Sequence, residues 1–180
     1  NACSNGELSG FKRYHQEGGI RIPYILSWPG ELEGNRVLDT PVISLDLMST
    51  FTAAAGQPVE TEDSVNLLPY LKGEVEGDPH DYLYWRSGPT MAIRDDRWKL
   101  IKFKLSNFGD DLVDATGRLT PPAEGWPTDA PLGHKIVLYD LLNDPGETTN
   151  LAERFPEIVM RLDAKYAQWN SELPLASDAI

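Results

Sequence analysis

Two adjacent glycines followed by an apolar run constrain this chain more than any other feature. Gly18 and Gly19 close a polar, partly basic stretch. Residues 20–28 then read Ile-Arg-Ile-Pro-Tyr-Ile-Leu-Ser-Trp before Pro29 and Gly30 stop the run. Glycine reaches backbone angles that a Cβ resists, so a tight turn is expected at the pair. A short run rich in Ile, Tyr and Trp between turn residues reads as a buried strand. Pro23 cannot donate to a ladder, which places the strand at a sheet edge or starts it near Ile22. The loop ahead of the turn carries Lys12, Arg13, His15 and Glu17, and loops held by a rigid sheet are where chemistry is usually placed.

Downstream, residues 41–56 read as a helix packed on the sheet. Ser44 or Asp46 can cap it, Leu47, Phe51 and Ala54 with Ala55 share a face, and Gly56 is a natural stop. Asp46 is read as a helix-start acid favoured by the positive end of the dipole. Residues 64–73 form a short helical turn with Leu67, Leu68 and Leu71 apolar, ended by Gly73. The charged link 74–81 is the expected boundary between residues 1–73 and residues 74–180.

Beyond it, 82–86, 90–94, 98–104 and 136–140 read as four short strands. Gly88-Pro89 and Asp95-Asp96 supply the first two turns, giving an antiparallel meander. About residues 105–135 form a long stretch rich in Gly, Pro and Asp, of a length that is often functional. The chain then ends on a helix. Pro156 suits its first turn, and Ile158, Leu162, Tyr166 and Trp169 recur on one face as packing against the strands.

Charge narrows the function. Sixteen Lys and Arg against 28 Asp and Glu give a net charge of −12 over 180 residues. A general nucleic-acid binder needs a basic face, so that class is disfavoured. Lys12, Arg13 and Arg21 form a basic patch at the glycine turn, where an anion can be held against the overall field. Cys3 is the single cysteine, so no intrachain disulfide forms and the compartment stays open. No run of eighteen apolar residues exists, and no signal peptide is visible. The chain begins at Asn1 rather than at a methionine, so a piece of a longer protein is expected.

The order K-x-x-x-x-E-G-G-I/V-R-x-P, followed by an apolar strand and W-P-G, resembles the sulfatase family, arylsulfatase type. The matching residues are Lys12, Glu17, Gly18, Gly19, Ile20, Arg21, Pro23, Trp28, Pro29 and Gly30. Residues 41–56 resemble a further family segment, with Ser49 where that pattern has Pro, and 64–73 resemble another. A-I-R-D-D-R-W-K-L-I and L-Y-D-L-x-x-D-P-x-E-x-x-N-L-A resemble the family's C-terminal subdomain. The likeness runs from about Glu7 to Trp169. It implies an α/β fold class, the C-terminal part of an alkaline-phosphatase-like sulfatase fold. Residues 1–73 would end the large α/β domain. Residues 74–180 would form an α+β subdomain of a four-stranded antiparallel sheet and a C-terminal helix.

The resemblance also implies a chemistry: sulfate-ester hydrolysis by a formylglycine nucleophile with calcium. The nucleophile arises from a cysteine in a C-x-P-S-R type motif. Neither that motif nor a carboxylate cluster occurs here, and Cys3, followed by Ser-Asn-Gly, does not match. Ser4 stands where a metal ligand is needed, so Asn5-Gly6 is read as an ordinary turn and no metal residue is assigned. Calcium would belong to the full-length enzyme, with its ligands outside these residues.

By resemblance, Lys12 contacts the substrate sulfate, where a lysine supplies a compact charge and three donors. His15 is a second candidate, as a proton donor, at a position variable in the family. Glu17 and Arg21 are read as a structural pair fixing the loop. His80 and His134 have no ligand-spaced partner and are assigned nothing. The expected partner is a sulfated small molecule or glycan, with no nucleic acid and no membrane, in a periplasmic or secreted setting. The rivals are a phosphodiesterase or phosphonate hydrolase of the same superfamily, and a non-catalytic module that shapes substrate access. In the family the neighbours of the 20–28 strand come largely from preceding sequence. The isolated chain is therefore expected to self-associate through it, or to leave residues 1–40 poorly ordered.

Overall fold

The computed structural model describes residues 4–12, 14–59, 61–87, 90–104, 112–113, 119–120 and 134–173. In chain order they form α1 (Glu17–Ile20), α2 (Asp46–Ala54), α3 (Leu68–Lys72), β1 (Leu83–Ser87), β2 (Thr90–Arg94) and β3 (Trp98–Lys104). These are followed by β4 (Leu112–Val113), β5 (Leu119–Thr120), β6 (His134–Asp140) and α4 (Pro156–Glu172). Two compact units result: Asn1–Arg21 with Tyr84–Ile180, and Ile22–Leu83. The first 21 residues thus belong to the same unit as Tyr84–Ile180.

The first unit is built on a sheet in the order β1-β2-β3-β6. β3 runs antiparallel to β2 and to β6, with Ala92 opposite Ile101, Arg94 opposite Lys99, Ile101 opposite Val137 and Lys99 opposite Tyr139. Side chains alternate across a strand, so these residues share one face. There Ala92, Ile101, Val137 and Tyr139 form a buried cluster with Trp85 and Leu141 packed on it. Met91, Ile93, Leu100 and Leu138 take the other face and are also buried.

α4 packs on β2 and β3. Its Leu162 is fully buried, worth about 2 kcal/mol in apolar transfer. Trp169 stacks on Tyr84 with ring centroids 4.8 Å apart, and Trp98 meets Phe155 at 5.2 Å. The four expected strands and their covering helix are all present. The Gly88-Pro89 turn and most of 105–135 lie outside the described residues. Within that stretch, β4 and β5 pair antiparallel.

The second unit departs from expectation twice. Residues 21–28 form neither helix nor ladder, and Ile22 and Ile25 are 67% and 89% exposed. The buried strand expected over 20–28 is therefore not formed. Ile20 closes α1, and no described strand lies alongside to satisfy the backbone, which a strand requires.

α2 is shorter than the expected 41–56 and buries its polar side. Asp46, Ser49 and Thr50 are buried, while Leu45, Met48 and Phe51 are exposed. The reason is a set of loop amides that need acceptors. Asp46 takes the N–H groups of Ile43 and Val65, both at 2.9 Å, and Thr50 Oγ1 takes that of Leu67 at 3.0 Å. α2 neighbours α3 rather than packing a leucine–phenylalanine face on a sheet. α3 ends as expected at Gly73, in the left-handed region at φ 74°.

Candidate functional site

Lys12 is exposed at the tip of a turn. The turn is closed by Tyr14 N–H donating to Phe11 O at 3.0 Å, and the Phe11 and Tyr14 rings meet edge-on at 4.6 Å. Its flanks are braced. Gly18 N–H donates to Ser9 O at 2.7 Å, and the Asn5 amide donates to Gly10 O at 2.9 Å and to Gly18 O at 2.8 Å. Asn5 is thus a cross-brace in the turn where a metal ligand was considered. Arg13 and Cys3 lie outside the described residues.

α1 forms the floor under this turn. A Cβ on Gly19 would stand 2.2 Å from Tyr14 O and 2.7 Å from Phe11 O, and one on Gly18 would stand 2.5 Å from Ser9 O. Neither glycine has a positive φ. The expected reason for the pair, unusual backbone angles, is therefore corrected: two backbone segments lie against each other and leave no room for a side chain.

Just past the exposed Lys12, the chain is buried. His15, Gln16 and Glu17 are 5%, 0% and 4% exposed. Glu17 Oε1 and Glu147 Oε1 each lie 2.9 Å from Lys99 Nζ. Glu147 Oε2 also accepts the Glu17 N–H at 2.6 Å. Arg94, on the same sheet face as Lys99, approaches Glu17 to 3.6 Å. Arg21 stands 4.0 Å away with its side chain 62% exposed. The expected Glu17–Arg21 pair is present as a minor contact, because the fully buried Lys99 offers a shorter one.

Burial raises the Glu17 pKa, but the charge and hydrogen bond of Lys99, aided by Arg94 and Arg21, outweigh it and hold the group below its ordinary value. For Glu147 burial wins. Lys99 and the Glu17 amide oppose it, yet its pKa lies above the ordinary value. Glu147 also holds a left-handed backbone at φ 54°, a conformation that persists in a non-glycine only where its surroundings enforce it.

His15 is held near pKa 4, first by burial and then by the charge of Lys99. It is neutral at neutral pH, and its Nδ1 has no partner among the described residues.

Sequence reasoning missed Lys99 and Glu147. One signal was available: Lys99 falls on the same strand face as Ile101, and a lysine at a core position needs a carboxylate. It also missed His80, whose Nε2 lies 2.9 Å from both oxygens of the buried Asp46. Asp46 sits below its ordinary pKa. Burial raises it, but His80 and the Ile43 and Val65 amides prevail.

Other polar residues of the C-terminal motifs hold the architecture. Asp140 takes Arg97 in a two-pronged contact at 2.7 and 3.1 Å. Asp144 takes the amides of Thr148 and Thr149 at 2.8 Å, and Asn150 accepts from Leu138 and Ala152.

Among the described residues no group of three or more His, Cys, Asp or Glu is placed to hold a metal. Calcium asks for about six to eight oxygens, and the buried carboxylates Glu17 and Glu147 are already held by Lys99. The described residues do not fit a calcium site.

Steryl-sulfatase of Mus musculus is 28% identical over 98% of this chain and 30% of its own length. Arylsulfatase A of Homo sapiens is 30% identical over 88% of this chain and 33% of its own. The chain belongs to the sulfatase family. It corresponds to the C-terminal portion of sulfatases and spans about a third of the length of the curated relatives it matches.

No family model matches the chain. The sulfatase fold, alkaline-phosphatase-like, is supported by a solved Bacteroides thetaiotaomicron structure, described in connection with metabolism of multiple glycosaminoglycans. It superposes with a TM-score of 0.68 at 24% identity over 92% of this chain and 32% of that one. Within this sulfatase chain, three motif segments meet at one point. Glu17 of the E-G-G motif, Lys99 of R-W-K-L-I and Glu147 of D-P-x-E close on one another around a single buried cation.

Proposed function

We propose that this chain is the C-terminal part of an enzyme that hydrolyses sulfate esters, and that Lys12 contacts the substrate's sulfate. Kinship with steryl- and arylsulfatases over most of the chain supports the reaction class. The observation that carries the role of Lys12 is its place: an exposed cation at the tip of a turn braced from both sides. A sulfate ester gains negative charge on the leaving oxygen as the S–O bond breaks. A fixed ammonium group beside it stabilises that charge without reorganising. His15, buried and neutral, supports the turn from within and is the lesser candidate.

Residues 1–73 belong, in this reading, to the end of the large domain and 74–180 to the smaller subdomain. The family's formylglycine and calcium supply the nucleophile and the metal chemistry from outside these residues. The substrate is a sulfated small molecule or glycan, and the setting is periplasmic or secreted. No helix among the described residues is long and apolar enough to cross a membrane.

The test is turnover of an aryl sulfate with calcium present. The 180 residues alone are expected to show none, and the protein expressed from its full coding sequence is expected to show it. Turnover by the short chain that disappears in Lys12→Ala would contradict this division of labour. So would a full-length protein inert toward every sulfate ester offered.

A further inference from the structure

We propose that Lys99 is a positioning residue: clamped between the carboxylates of Glu17 and Glu147, it fixes the floor on which the Lys12 turn rests. This deepens the sulfatase reading and rests on it for the role of Lys12. Three observations lead to it. Lys99 Nζ is fully buried and lies 2.9 Å from each carboxylate. Its two partners come from opposite ends of the chain, and Glu147 also takes the Glu17 amide, so backbone and side chain of Glu17 are both tied. Glu17 opens α1, whose Gly19 lies under the carbonyls of Phe11 and Tyr14 with no space for even one methyl group. Displacement of α1 is therefore passed to the turn by hard contact between backbones. The chain between Glu17 and the turn, His15 and Gln16, is buried as well and leaves little slack.

A buried ion cluster of this kind is a poor way to gain stability, because the desolvation of the charges offsets most of their attraction. What it supplies is a single geometry. Apolar contacts slide, whereas an ammonium held between two carboxylates, one of them also fixed by a backbone amide, has one arrangement. The cluster sits on the Ala92–Ile101–Val137 face of the sheet, whereas α4 meets the other face, where Lys102 pairs with Asp163.

Hydrogen exchange reads the tie. In Lys99→Met the amides of Gly18, Gly19 and Ile20 should exchange about tenfold faster or more, with those of α4 nearly unchanged, as expected of a local opening. Leu162→Ala, which weakens the opposite face of the sheet, should move both sets together. Should Lys99→Met not fold, Lys99→Met with Glu17→Gln and Glu147→Gln removes all three charges of the clamp and is read the same way. Equal acceleration of both sets, or none in the loop, overturns the proposal.

Kinetics with an aryl sulfate in the full-length protein reads the consequence. Lys99→Met should lower kcat, and Lys12→Ala with Lys99→Met should be no slower than Lys12→Ala alone. Losses that multiply show that Lys99 acts elsewhere and overturn the proposal. If Lys12→Ala itself leaves kcat unchanged, the sulfate-contact reading fails, and the exchange experiment still decides whether Lys99 holds the loop.

Discussion

At Gly19 one methyl group is enough to part the Lys12 turn from its floor. A Cβ there would meet Tyr14 O at 2.2 Å and Phe11 O at 2.7 Å, both backbone atoms. Gly19→Ala is expected to cost about 1–3 kcal/mol of overpacking strain, read as a lower urea midpoint; an unchanged midpoint would mean the two segments separate freely.

Glu17 and Glu147 share one cation but titrate in opposite senses. The folded pKa of Glu17 lies below its ordinary 4.5, so its stabilisation is present above that value and is lost as pH falls through the folded pKa. The folded pKa of Glu147 lies above 4.5, so its contribution is present below that value and is lost as pH rises through the folded pKa. The stability gap between wild type and Glu17→Gln should therefore shrink on acidification below 4.5. Wild type should gain on Glu147→Gln as pH falls toward 4.5. Urea midpoints across the acid range check both, and parallel behaviour of the two variants would contradict the assignment.

Among the elements, the segment 21–28 and helix α4 behave oppositely. α4 was legible because its apolar stripe is periodic and its partner sheet lies in the same stretch of chain. Leu162→Ala should cost about 2–5 kcal/mol, visible as a lower thermal midpoint; a loss below about 1 kcal/mol would mean that the helix does not cover the core. The segment 21–28 has the composition of a strand but no described neighbour to pair with. Ile25, 89% exposed, and a segment with no ladder partner among the described residues favour association with a second copy of this chain. Light scattering should show growth with concentration that Ile25→Lys suppresses. A wild-type chain that stays monomeric at high concentration would contradict this.

α2 misled for a different reason. Its apolar residues suggested a packed face, yet the loop amides of Ile43, Val65 and Leu67 turned Asp46 and Thr50 inward, and helical spacing carries no sign of that demand.

For the molecule as a whole, local patterns announced the sheet, its turns and the last helix. They could not announce the meeting of Glu17, Lys99 and Glu147, because it joins residues 82 and 130 positions apart in sequence. Family resemblance marked all three motif segments without saying that they touch. In the proposed reading, these three residues hold one exposed lysine in place. The direct test of that lysine is the kcat of Lys12→Ala toward an aryl sulfate in the protein expressed from its full coding sequence. A cation that stabilises charge in the transition state predicts a fall of roughly a hundredfold or more, with KM little changed. An unchanged kcat, with or without a raised KM, would contradict it.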